Sequence, residues 1–160
     1  MNIGIIGAEE KKFTELTKHA TTLKIEHIIN QYPADDKPTI VSGHCHLGGV
    51  DIWAEEIAKD RGIPTLIFPP KIHAWEGGYK QRNIQIAEAS DVIYVIVVSE
   101  LPPGIPPDPW NKNGCYHCAN RWKTGKLQSG FQKKHVKSGA CWTAWYAIET
   151  LGKEAHWIVI

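Results

Sequence analysis

TIVSGHCHLGGVDIWAEEIAKDRGIPTLIF, residues 39–68, is the stretch that decides the fold of this 160-residue chain. It opens with an apolar run at Thr39–Ser42, passes through a glycine-containing loop, and then carries apolar residues at helical spacing over 49–61. Gly62 is placed to end that helix, and a second apolar run follows at 65–68. This order of strand, loop, helix and strand predicts a right-handed βαβ unit with parallel strands.

The rest of the chain continues the alternation of strands and helices. Further strands are predicted at 2–7, 91–98 and 156–160, and further helices at 13–29, 79–89 and 140–151. The first of these helices is expected to pack Phe13, Leu16, Ala20 and Leu23 on the sheet. We therefore predict an α/β fold, a three-layer Rossmann-like open parallel sheet of about five strands in a single domain over 1–160. An irregular insertion at 99–137 separates the fourth strand from the last helix.

Composition places the chain among ordinary globular proteins, with 42% apolar and 22% charged residues. No apolar run approaches the roughly 18 residues needed to cross a bilayer, so no membrane partner is expected. Residues 1–7 carry neither a basic leader nor a cleavage site, which favours a cytoplasmic location. Walker A, nucleophile-elbow and His-Glu-x-x-His motifs are missing from the sequence, and we expect neither a nicotinamide nor a flavin cofactor.

Two groups of small residues precede helices and are expected at the carboxyl edge of the sheet. The first comprises Ser42, Gly43, Gly48 and Gly49, and the second comprises Ser138, Gly139 and Thr143; Gly7 ends the first strand. Backbone N–H groups in such turns, together with a helix N-terminus, form a cradle for anions. The alternative is that these turns need glycine only for their backbone dihedral angles.

Three polar residues, Asp51, Arg82 and Asn83, are further candidate ligand-binding residues. Asp51 lies in the first turn of the second helix, where it would accept hydrogen bonds from a ribose or base, or simply complement the helix dipole. Arg82 and Asn83 offer a guanidinium fork and an amide to a phosphate or base, or lie on an exposed helix face.

These motifs together resemble the signature of the SLOG superfamily, which includes YpsA/YspA-like proteins, the DNA-processing protein DprA and the Lonely Guy phosphoribohydrolases. The resemblance covers about 1–98 and 137–160; its motifs are Ser42-Gly43, Gly49-Val50-Asp51, Ala54-Glu55, Gly62-Ile63-Pro64, Arg82-Asn83 and Ser138 to Thr143. It implies a nucleotide or nucleotide-derived ligand and a homo-oligomer. The chain departs from the family at His44, Cys45 and His46, and it lacks the glutamate that supports hydrolysis after the second turn.

Three functions follow as hypotheses. The first is a sensor or carrier that binds a nucleotide or its derivative at the carboxyl edge of the sheet. The second is an enzyme that cleaves or transfers an N-glycosidic or phosphoester bond there, with Glu9 and Glu55 as candidate catalytic acids. The third is an accessory protein that contacts nucleic acid through the insertion.

The insertion contains a Cys-x-x-Cys pair, Cys115 and Cys118, followed by His135 and Cys141. These four residues are candidate ligands of a structural Zn²⁺ ion, which would help to order a long irregular segment; His117 or a distant histidine, His44, His46 or His73, is the alternative to Cys141 as the fourth ligand. A redox-active dithiol and two unrelated cysteines are the alternatives.

Residues 111–137 are strongly basic and contain no Asp or Glu. Seven Lys and Arg residues are interleaved with Tyr116, Trp122 and Phe131, a composition that suits phosphates and stacked bases. A cover over a bound nucleotide, a contact for single-stranded nucleic acid and a solubilising loop all fit this composition.

Overall fold

The computed structural model describes residues 1–32, 37–105 and 138–160. The strands are β1 (Asn2–Gly7), β2 (Thr39–Ser42), β3 (Thr65–Ile67), β4 (Val92–Val97) and β5 (Glu154–Val159). The helices are α1 (Glu15–Asn30), α2 (Val50–Asp60), α3 (Lys80–Ala89) and α4 (Gly139–Leu151). A 3-10 turn at Glu10–Lys12 follows β1, and a π-helical turn at Trp75–Tyr79 leads into α3.

The five strands form one parallel sheet in the order β3-β2-β1-β4-β5. The strand order therefore reverses beside β1, between its neighbours β2 and β4. The predicted α/β class and open parallel sheet are confirmed. Most of the predicted insertion, residues 106–137, lies outside the described residues.

Two apolar layers fill the space on either side of the sheet. Helices α1 and α2 cover one face, and α3 and α4 cover the other. Side chains alternate along β1, where Ile3 and Ile5 point to the first layer and Ile6 to the second. Burial on both faces explains the continuous apolar character of β4, which the sequence predicted for a central strand.

The predicted buried face of α1 is wrong. Leu16 is 78% exposed and Leu23 is also exposed, whereas Ile25 and Ile28 reach the core. A capping box between Thr14 and Thr17 starts the helix after Phe13. Phe13 is buried as predicted, but it packs from the extended segment before α1, edge-on against Trp53 at 4.9 Å between ring centroids.

Other element boundaries agree closely with expectation. Gly62, two residues after the end of α2, and Gly152, directly after α4, both have positive φ, of 61° and 64°. Strand β3 is shorter than predicted and forms an exposed edge. Among the helices of the described part of the chain, none combines the length and the apolar character that a bilayer span requires.

Candidate functional site

A cavity opens at the carboxyl ends of the strands, beside the point where the strand order reverses. Its volume of about 740 Å³ is typical of small-molecule sites. The walls come from the segment after β1, the β2–α2 loop, the β3–α3 segment and the first turns of α2, α3 and α4. These segments are distant in the sequence and meet because all five strands are parallel.

The cavity gathers most of the binding and catalytic candidates that were predicted from the sequence. Its lining includes Gly7, Glu9, Asp51, Arg82, Asn83, Ser138, Gly139 and Thr143. Ser42, Gly43, Gly48, Gly49 and Glu55 are not part of that lining. The structure thus brings Asp51 of α2 and the second small-residue turn to one space, whereas the four small residues of the first turn do not line it. The binding and catalytic roles of all these residues stay predictions.

Asp51 is the buried carboxylate of this cavity, with 5% of its surface exposed. Its Oδ1 accepts a hydrogen bond from the Gly7 N–H at 3.3 Å, and the Gly43 N–H also donates to the carboxylate. Burial raises the pKa of Asp51 to about 6, although the Arg82 guanidinium and these two N–H groups act in the opposite direction. Asp51 can therefore hold or release a proton near neutral pH.

Arg82 and Asn83 connect the two glycine-containing turns. The Nε and Nη2 atoms of Arg82 donate to Asn83 Oδ1 at 3.1 and 3.0 Å, and Nη1 donates to the Gly43 carbonyl at 3.3 Å. Asn83 is 1% exposed, and its Nδ2 donates to the Gly139 carbonyl at 3.3 Å. It therefore links Arg82 to the second turn. We call this set of hydrogen bonds the Arg82–Asn83 bridge.

No protein-family model, curated protein or solved structure matches the chain. The resemblance to the SLOG superfamily therefore stays a hypothesis that rests on the motifs themselves.

Gly48 and Gly49 pack against the segment after β1. Gly49 has φ of 94° and ψ of −151°, and a Cβ there would collide with the carbonyl of Ala8 and with the Glu10 nitrogen. The Val50 N–H, the first donor of α2, already donates to that Ala8 carbonyl at 3.2 Å. These contacts explain why glycine is needed here, and a ligand-binding role for Gly48 and Gly49 stays a prediction.

Glu55, a predicted catalytic acid, belongs to a network beside the cavity. Its carboxylate accepts from Ser42 Oγ at 2.6 Å and lies 2.7 Å from His44 Nδ1. His44 has a positive φ of 49°, and its N–H donates to Ser42 Oγ at 3.3 Å. Glu55 therefore fixes the start of the β2–α2 loop, and it lines a separate groove between α2 and β3.

The second small-residue turn forms the start of α4. Ser138 Oγ accepts from the Cys141 N–H at 3.2 Å and caps the helix. Thr143 is buried, and its hydroxyl donates to the Gly139 carbonyl at 2.7 Å. The N-terminal end of α4, with its partial positive charge, thus borders the cavity.

The predicted zinc site falls almost entirely on residues 106–137. Cys115, Cys118 and His135 lie outside the described residues, while Cys141 is buried in the layer beneath α4. Over 1–32, 37–105 and 138–160, no three His, Cys, Asp or Glu side chains are grouped to hold a metal ion.

Several lining residues were not predicted from the sequence as binding residues of this cavity, namely Lys11, Lys12, Cys45, Leu47, His73, Trp75 and Tyr79. Lys11 and Lys12 lie 3.2 and 3.5 Å from the Glu9 carboxylate, so they add positive charge where β1 ends. Burial, followed by the nearby Asp51 carboxylate, raises the pKa of the Cys45 thiol, which disfavours the thiolate. Their position in the sequence could have indicated them, because all of them follow the end of a predicted parallel strand, where ligands bind in open parallel sheets.

Proposed function

We propose that this chain is a SLOG-type domain that binds a nucleotide or nucleotide-derived ligand in the cavity, as a sensor or carrier. The observation that carries the proposal is the placement of Arg82 in the lining of a 740 Å³ cavity at the strand-order reversal. Arginine has five N–H donors, and within the described residues Asn83 and Gly43 engage three of them. Two donors are left for the oxygens of a phosphate.

The charge around the cavity supports an anionic ligand. Lys11 and Lys12 flank Glu9 on one wall, and the N-terminal end of α4 borders another. A ligand phosphate between Arg82 and α4 would meet a guanidinium and a helix dipole together. Asp51 would accept hydrogen bonds from ribose hydroxyls or a base amine on the same ligand.

A direct test is titration calorimetry with adenosine 5′-monophosphate (AMP) on the wild type and on Arg82→Lys. Lysine keeps the positive charge but cannot form the planar fork, so we expect AMP affinity to fall about tenfold or more. Arg61→Lys is the matched control, since Arg61 contacts Glu26 and Asn30 on the surface away from the cavity. The proposal fails if AMP, ADP and GMP show no saturable binding at millimolar concentration, or if Arg82→Lys binds as the wild type does.

A second candidate function is cleavage of the N-glycosidic bond of that ligand. It is favoured by the presence of two carboxylates, Glu9 and Asp51, in one cavity but in different surroundings. Glu9 lies beside two lysines, whereas the pKa of the buried Asp51 is raised to about 6. Release of adenine and ribose 5-phosphate from AMP, abolished by Asp51→Asn, would establish this activity, and unchanged AMP after prolonged incubation would leave binding alone.

A further inference from the structure

Three aromatic residues of the cavity wall come from one segment, residues 68–79 between β3 and α3. They are His73, Trp75 and Tyr79. Each is anchored to another part of the rim: His73 stacks on His46 with ring centroids 3.9 Å apart, and Tyr79 lies under the Arg82 guanidinium at 5.3 Å. The segment is therefore held against the cavity by its rings.

Within the described residues, Trp75 is, with His73, one of two exposed aromatic rings of this segment. It is 40% exposed, although indole is large and mostly apolar. Its ring packs edge-to-face on Trp142 at 5.3 Å and 87°, and Trp142 is buried and stacked on Tyr146. The Trp75 ring is thus anchored to α4 while the residue borders the cavity.

The backbone beneath Trp75 is also constrained. Trp75 begins the π-helical turn, in which Gly77 has a positive φ of 76°. A side chain at Gly78 would collide with the Ile72 carbonyl, so the turn closes tightly on the residues before Trp75. An aromatic ring on a fixed backbone loses little conformational freedom when a ligand stacks on it.

The lining of the cavity therefore combines cationic groups, Arg82 and the two lysines, with the aromatic ring of Trp75. We infer that Trp75 stacks on the planar base of the bound nucleotide, so that the site selects base-bearing ligands over sugar phosphates. This inference rests on the proposed function. Stacking of a base on an aromatic side chain is typically strong enough to change affinity by roughly 5- to 100-fold.

Calorimetric titration of AMP and ribose 5-phosphate into the wild type, Trp75→Ala and Trp75→Phe tests the inference. We expect the wild type to bind AMP at least about fivefold more tightly than ribose 5-phosphate. Trp75→Ala should lose that difference by weakening AMP alone, and Trp75→Phe should restore part of it. Leu66→Ala is the control, because Leu66 is 38% exposed on the edge strand β3, outside the cavity lining, and its loss should leave the difference in place.

The outcomes separate the two proposals. Wild-type protein that binds neither compound overturns the proposed function and this inference with it. Wild-type protein that binds AMP while Trp75→Ala retains the full preference overturns the inference alone. Equal weakening of both compounds in Trp75→Ala also overturns it, because Trp75 would then support the wall rather than contact the base.

Discussion

Asp51 is expected to make the stability of the protein depend on pH in an unusual direction. Its pKa is about 6 in the folded state, against about 3.9 in an unfolded chain, so the folded state binds more protons between these values. The contribution of Asp51 to stability is therefore greatest below about pH 4 and falls as pH rises toward 6. The shift of about two pH units corresponds to about 3 kcal/mol lost by pH 7.

Urea denaturation of the wild type and Asp51→Asn between pH 4 and 7.5 measures this effect. The free energy of unfolding of the wild type should fall relative to that of Asp51→Asn by about 3 kcal/mol across the range. Glu149→Gln removes the same charge from the exposed side of α4 and controls for net charge. If the free energies of unfolding of the wild type and Asp51→Asn change in parallel with pH, the pKa of Asp51 is not raised in the folded protein.

At the residue scale, the sequence predicted the polar residues of the cavity better than its aromatic ones. Asp51 was predicted because it follows the first glycine turn, and Arg82 and Asn83 because the resembled motif order places such a pair one helix before the fourth strand. Trp75 carried no such signal, since an isolated aromatic residue in a loop fits a core position as well as a ligand contact. Its placement depends on Trp142, about 70 residues later, and no local pattern encodes that contact.

At the element scale, helix α1 shows how a periodic pattern identifies a helix without fixing its buried face. The spacing of Phe13, Leu16 and Leu23 correctly predicted a helix in this region. Its start after Thr14 leaves Phe13 outside, and Leu16 then lies roughly half a turn around the axis from the buried Ile25. The capping box, rather than the apolar spacing, determines where α1 begins.

Helix α2 depends on the close approach of its first residue to β1, and this leads to a prediction for Gly49. Gly49→Ala adds a methyl group against the Ala8 carbonyl at dihedral angles that essentially only glycine adopts. We expect the free energy of unfolding to fall by about 3 kcal/mol or more. Gly62→Ala, at a positive φ of 61° with no atom within 4 Å of the added carbon, should cost only about 1 kcal/mol.

Chemical denaturation of both glycine variants provides the measurement. The difference between them measures the contact with the Ala8 carbonyl together with the extra backbone strain at Gly49, because Gly62 lies in the left-handed region that other residues reach at lower cost. Similar losses would mean that α2 can move away from β1 without cost, and Gly49 would then be free for the anion-binding role predicted from the sequence.

At the scale of the whole molecule, the alternation of strands and helices was enough to predict the parallel sheet, but not the order of its strands. The right-handed βαβ rule fixes the handedness of each crossover but allows several strand orders, of which β2 next to β1 is one. The position of β4 on the other side of β1 follows from the helices, since α3 and α4 pack together on the face opposite α1 and α2. Such contacts involve residues far apart in sequence, so spacing alone could not indicate them.

The Arg82–Asn83 bridge joins two segments that are distant in the sequence and should contribute strongly to the free energy of unfolding. It links the turn after β2 to the start of α4, through the buried amide of Asn83. Asn83→Ala would leave the Arg82 guanidinium without the oxygen that accepts from its Nε and Nη2. We expect a loss of about 2–3 kcal/mol in the free energy of unfolding, because a partly buried charged donor loses its acceptor.

Asn30→Ala is the control for this prediction. Asn30 also accepts from an arginine, Arg61 at 2.7 Å, but on the exposed surface, where the loss should be below about 1 kcal/mol. Equal losses in urea denaturation would mean that the two turns are held together by apolar packing, and that Arg82 is free to move when a ligand enters the cavity.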